Sequence, residues 1–271
     1  MATLPNPLPK LAADPSGHTL GLELPLPPGR LIDATDDGPW HEPLLWCADE
    51  PAAPGVWTTA EPARRTAGLL PVLVDVGGSQ GGPEEWELAP GETSYPGDHD
   101  AEEVLAEFWE ECAAQEDGEW PGLAATPASD ASDASDTDPD ALAAEIVDAL
   151  ASDPSRVKEP RLALVPARRS ADIPAAIGWA GPMNHERDVA RLSAVLRSWE
   201  DRFGIRVVAL NFAQLVVSVA APPTTGAEAE AVAAEHFAFC PDNVSQGTAD
   251  GSLRSYARTL VGEHTWSFWW D

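Results

Sequence analysis

Lysine is nearly missing from this 271-residue chain; Lys10 and Lys158 are the only two. With 16 Lys+Arg against 45 Asp+Glu, the formal net charge at pH 7 is −29. The imbalance is uneven. Residues 1–140 hold 4 Lys/Arg and 29 Asp/Glu, whereas residues 141–271 hold 12 and 16. So negative a surface repels phosphate, which argues against nucleic acid or an anionic membrane as partner of the first half. It permits a basic protein partner, beside the plain role of charge in solubility. Cysteine is scarce as well. Cys47, Cys112 and Cys240 are an odd set without metal-type spacing, so neither a disulfide framework nor a metal centre is expected. Reduced thiols in a cytoplasm suit such a set. No apolar run approaches the ~20 residues that span a bilayer. The prolines and glycine of MATLPNPLPKLAADPSG interrupt any signal-peptide core. The expectation is a soluble cytoplasmic protein without a cofactor. Little lysine beside abundant alanine and proline fits a GC-rich bacterial genome.

What the sequence does have is a strong pattern from Ser198 to Ala221, SWEDRFGIRVVALNFAQLVVSVAA. Before it, Val189, Leu192, Val195, Leu196, Trp199 and Phe203 recur at intervals of three and four, one face of a helix from His185 to Phe203. Asn184 stands at the N-cap position, and Gly204 can close the helix in the left-handed region. Ile205–Leu210 and Leu215–Ala220 then read as two strands of a hairpin, joined by Asn211–Gln214. Their weak alternation implies cover on one face or both. Arg161–Val165 and Ile173–Ala180 read as two further strands. Thr225 and Glu228 form a capping box that opens a helix to about Phe237. Leu253, Tyr256, Ala257, Leu260 and Val261 mark another helix, closed by Gly262. In the closing HTWSFWWD, Trp266, Phe268 and Trp270 share one face of a strand while Ser267 and Trp269 share the other. With a short helix at Ala141–Leu150, residues 141–271 read as an α+β domain with a mixed or antiparallel sheet and about three packed helices.

The first half is less patterned. Pro43–Cys47 and Leu69–Val76 read as strands, with Pro71 confining the start of the second to an edge or initial position. Pro54–Thr66 can hold a helix around Val56 and Trp57. Ala101–Cys112 is a clear amphipathic helix with Asp100 at its cap. Residues 1–120 are thus expected to form a small acidic α/β unit. Residues 121–140, PGLAATPASDASDASDTDPD, repeat Ala-Ser-Asp and lack large apolar residues after Leu123. They read as a disordered linker and domain boundary. Whether the two halves pack together is left open.

Three stretches, WEDRFG (Trp199–Gly204), EHFAFCPDNV (Glu235–Val244) and WSFWWD (Trp266–Asp271), occur in that order. Together they resemble the bacterial domain-of-unknown-function family 4253 over about Arg161–Asp271. PLLW at Pro43–Trp46 is similar, more loosely, to an N-terminal extension of some members. The resemblance implies a fold unit and no activity, so it assigns no functional residue.

Four groups merit a chemical reading. Glu235, His236, Cys240 and Asp242 carry metal-ligand and Cys/His nucleophile chemistry, or else end a helix and fill a core. Ser79 sits in Gly77-Gly78-Ser79-Gln80-Gly81, a G-x-S-x-G match after a strand, with His99 as a conceivable base. The stretch following it is too short for a nucleophile elbow, which favours a plain loop. Trp269 is the tryptophan of the closing cluster best placed for an exposed contact, while Trp266 and Trp270 suit a core. Asn184, with His185, Glu186 and Arg187, opens the central helix, where an anion could sit. The reading these sites support is a non-catalytic interaction or ligand-binding module. The alternatives are a small hydrolase using Ser79 or the His236/Cys240/Asp242 cluster, and a metal-binding regulator.

Overall fold

Leu70, Val72 and Val74 face one way along an apolar run while Leu69 and Leu73 face the other, and all five are buried. A strand covered on both faces needs no polar alternation, and this one lies inside a sheet. The structure, a computed structural model, describes residues 5–21, 26–112, 119–127 and 137–271. These residues form strands β1 (Gly29–Ile32), β2 (Ala34–Thr35), β3 (Gly38–Pro39), β4 (Leu45–Ala48), β5 (Leu69–Asp75), β6 (Pro160–Pro166), β7 (Ile205–Leu210), β8 (Gln214–Val219) and β9 (Thr265–Trp269). The helices are α1 (Pro9–Ala13), α2 (Val56–Ala60), α3 (Pro62–Ala67), α4 (Ala101–Cys112), α5 (Pro139–Ala151), α6 (Ile173–Ile177), α7 (Val189–Phe203), α8 (Gly226–Phe239), α9 (Asp242–Ser245) and α10 (Leu253–Leu260).

Seven strands make one mixed sheet in the order β1-β4-β6-β5-β7-β8-β9, and β2 pairs with β3 in a separate ribbon. All neighbours in the large sheet are antiparallel except β5 and β7. β5 pairs with β6 along its length, from Leu69↔Pro166 to Asp75↔Pro160, but with β7 only at Leu73 and Val74. Pro71 therefore lies where β5 has no β7 neighbour, and its missing N–H breaks no ladder there. The fold is α+β, with helices on both faces. α4 and α6–α10 cover one face, and α1–α3 and α5 the other. A bulge between Val207 and Ala209 shifts the register of β7 against β8.

The sheet takes β1, β4 and β5 from residues 1–120 and β6–β9 from residues 141–271, interleaved, so the two stretches share one sheet and one core. Of the 121–140 stretch, residues 128–136 lie outside the described residues. Ala124 is buried, and Pro139 already opens α5, where Asp140 pairs with Arg64 and Arg206.

Two local expectations are corrected. Ile173–Ala180 is not a strand: Ser170–Asp172 form a 3-10 turn that runs into α6. Pro174 sits in the first turn of α6, where its missing N–H has no helical acceptor, and Ile173 and Ile177, four apart, both point inward. Gly178 closes this helix at φ 63°. A Cβ there would stand 2.2 Å from Pro90 N, and its carbonyl accepts from Ala89 N at 2.7 Å. Only glycine allows that approach. The central helix begins later than expected, at Val189, and its cap is Asp188, which accepts from Ala190 N at 3.1 Å. Asn184 instead donates to the backbone oxygen of Asp271.

Candidate functional site

The three sequence words converge in the interior. Glu235, on the inward face of α8, has no exposed surface. Arg202 donates to it twice, Nη1 to Oε1 at 2.7 Å and Nη2 to Oε2 at 2.6 Å. The Trp199 indole donates to Oε2 at 2.7 Å, and Ala124 N to Oε1 at 2.6 Å. A buried carboxylate is tolerable only when its charge and lone pairs are met in this way. Next to it, His236 is buried with ring centroids of Trp266, Trp199 and Phe268 within 4.5–4.9 Å. Its Nδ1 shares a 3.0 Å hydrogen bond with the Tyr256 hydroxyl. Burial, with Arg202 nearby, lowers its pKa to about 3, so the ring is neutral. Cys240 donates from Sγ to Trp269 O at 3.0 Å and to Asn243 Oδ1 at 3.3 Å. Burial pushes its thiol up to about 12, the opposite of what a nucleophile needs.

Glu235, His236 and Cys240 are therefore packed in the core rather than at an open surface. Asp242 is half-exposed at the start of α9, and accepts from Gln246 Nε2 at 3.0 Å and Asp271 N at 3.3 Å. Trp266, Phe268 and Trp270 are buried as the alternation requires, and Trp269 is half-buried on the other face. Among the described residues no group of three or more His, Cys, Asp or Glu could hold a metal ion. Ser79 is exposed in the loop after β5, followed by a 3-10 turn at Pro83–Glu85 and no helix. Its conceivable base, His99, is bonded elsewhere: Nε2 lies 2.6 Å from Ser94 Oγ and 3.7 Å from Asp188 Oδ2. Serine and carboxylate thus meet the same ring nitrogen. A triad needs the acid on the other one.

An open cleft of about 900 Å³ lies elsewhere, at the sheet end where β4 and β5 begin and β6 finishes. Its position follows from local chemistry. Pro43 precedes β4, Pro166 ends β6, and Gly68, at φ 68°, turns α3 into β5. Pro5 and Pro7 of the N-terminal segment and Pro96 complete a wall of five prolines. Half-buried Trp40 and Tyr95, 36% exposed, supply the aromatic surface. The Arg197 guanidinium lies 5.3 Å from the Tyr95 ring centroid and is itself gripped by Asp172, Nε to Oδ1 at 2.5 Å and Nη2 to Oδ2 at 3.0 Å. Arg168 also faces the cleft. So do Glu42 and Asp98, both exposed; among the described residues neither carboxylate has a hydrogen-bond or ion-pair partner. Sequence reasoning missed this site, because its residues come from six separated segments and no single segment carries a motif.

An α+β domain on a mixed sheet, with a proline- and aromatic-walled cleft at one sheet end, is the class these features define. The model of a family described as a domain of unknown function, DUF4253, matches residues 161–271. No curated protein and no solved structure matches the chain. The matched stretch holds β6–β9 and α6–α10 and gives the cleft Pro166, Arg168, Asp172 and Arg197. The cleft residues from Pro5 to Asp98, and β5, come from before it.

Proposed function

We propose that this protein is a non-catalytic binding module of a bacterial cytoplasm, acting through the cleft at the β4–β6–β5 end of the sheet. The cleft itself carries this reading. It lies at the upper end of the size of small-ligand pockets, roughly 300–1,000 Å³, with an apolar lining and a few placed charges. The candidate nucleophiles weigh on the same side: Cys240 is buried and protonated, and His99, the conceivable base for Ser79, is engaged with Ser94 and Asp188. The acidity of residues 1–140 favours a basic protein as partner and disfavours nucleic acid. Among the described residues no helix is long and apolar enough to cross a membrane.

The test is comparative capture. Wild-type chain and a Tyr95→Ala/Asp98→Asn variant are immobilised and exposed to cell extract, and bound proteins and small molecules are identified by mass spectrometry. A stoichiometric species held by the wild type and lost by the variant is the expected result. Identical capture by both would remove the cleft as the binding surface.

A further inference from the structure

Among the described residues, Tyr95 is one of three large apolar or aromatic side chains that stay exposed, the others being Met183 and Val261. It is also braced. The Arg197 guanidinium backs the ring and is locked in turn by its two-point grip on Asp172. An aromatic face held in place but left open is ready to stack at small entropic cost. The prolines around it make rigid walls without N–H groups, so they add shape to the cleft rather than hydrogen-bond donors. Extended proline-containing chains dock in aromatic-lined grooves of this kind, because their left-handed helix is already ordered before binding.

The charges choose among such chains. Asp172, Glu200 and Asp201 all pair with arginines, whereas Glu42 and Asp98 at the cleft are unpaired among the described residues. Three carboxylates face the cleft against two guanidiniums, Arg168 and Arg197, within a chain of net charge −29. The local balance and the long-range field both favour a cation. Resting on the cleft reading above, we infer that the cleft receives an extended, proline-containing segment of a partner protein, with a lysine or arginine of that segment reaching Glu42 and Asp98 while its apolar part lies against Tyr95.

A displayed library of short random peptides, selected on the full-length protein and counter-selected on Tyr95→Ala, tests this. The expected winners carry Lys or Arg beside Pro. Their affinity should fall about tenfold in a Glu42→Gln/Asp98→Asn variant, and it should fall again with added salt. Both positions are exposed, so this variant keeps the fold. N-acetyl-arginine amide, run as a competitor, should fail to displace the winners, which separates a peptide ligand from a free cation. Cleft-dependent winners that are acidic or lack a basic residue would overturn the inference and leave the cleft reading intact. A library with no winner sensitive to Tyr95 would overturn it too, and the capture experiment would then judge the cleft by itself.

Discussion

Glu235 and Arg202 form an ion pair with almost no water on it, with side-chain exposures of 0% and 12%. Such a pair adds little over an apolar filling, but losing one partner strands the other. Glu235→Ala should therefore cost about 3–5 kcal/mol in urea unfolding, far more than truncation of a surface acid such as Glu42. His236 sets a pH dependence of definite sign. Its folded pKa is depressed from 6.5 to about 3, so the unfolded chain takes up a proton that the folded chain refuses. The stabilisation is whole above pH 6.5 and is lost as pH falls toward 3, with a slope of up to ~1.4 kcal/mol per pH unit. His185, also lowered mainly by burial, acts in the same direction. Unfolding midpoints collected across that range should drop with acid, and His236→Gln should flatten the slope. The Tyr256 hydroxyl, which accepts from Asn243 Nδ2 at 3.3 Å, meets one nitrogen of the buried ring, and that contact was not legible in sequence, because residue spacing does not tell a buried histidine from an exposed one.

At the scale of elements, the periodic segments were the readable ones. Ala101–Cys112 matches α4 at both ends, the Thr225–Glu228 box opens α8, and Ile205–Leu210 is β7. Failures fell where a short apolar run fits either geometry, as at Ile173–Ile177, or where two polar residues compete for one cap. The cap assignment gives a discriminating pair of variants. Asp188→Ala should cost about 1–2 kcal/mol because it also holds Ser94 N, while Asn184→Ala should stay within about 0.5 kcal/mol. Gly178 and Gly262 make a second pair. Both have positive φ, but a Cβ meets backbone only at Gly178. Gly262→Ala should carry left-handed strain alone, about 1–2 kcal/mol, and Gly178→Ala that plus a clash, together roughly 2–4 kcal/mol in thermal unfolding.

For the whole molecule, the position of β5 decides most. The order β6-β5-β7 means that residues 161–271 do not make a continuous sheet by themselves. A fragment comprising Ala141–Asp271 should accordingly bind a hydrophobic dye and lack dispersed amide resonances, and co-expressed residues 1–127 should abolish the dye binding and bring the dispersion back. A folded, dye-silent fragment would contradict this account. The sequence showed both halves as sets of elements but not their interleaving, since a parallel pairing between Leu73 and Ala209 leaves no local trace. The cleft stayed hidden for the same reason. Its walls exist only once that interleaving is complete.

The same topology fixes an order of events at the ribosome. β5 leaves the exit tunnel with neither sheet neighbour yet made, and at ordinary translation speeds β6 follows on the order of ten seconds later. β7 comes later still, and β9 after it and β8. Through that interval an apolar run, Leu69–Val74, stands with both edges open, the condition in which nascent chains stick to one another. The negative charge gathered in the residues translated around it, 29 acids against 4 bases up to residue 140, is then expected to keep unfinished chains apart until the later strands arrive.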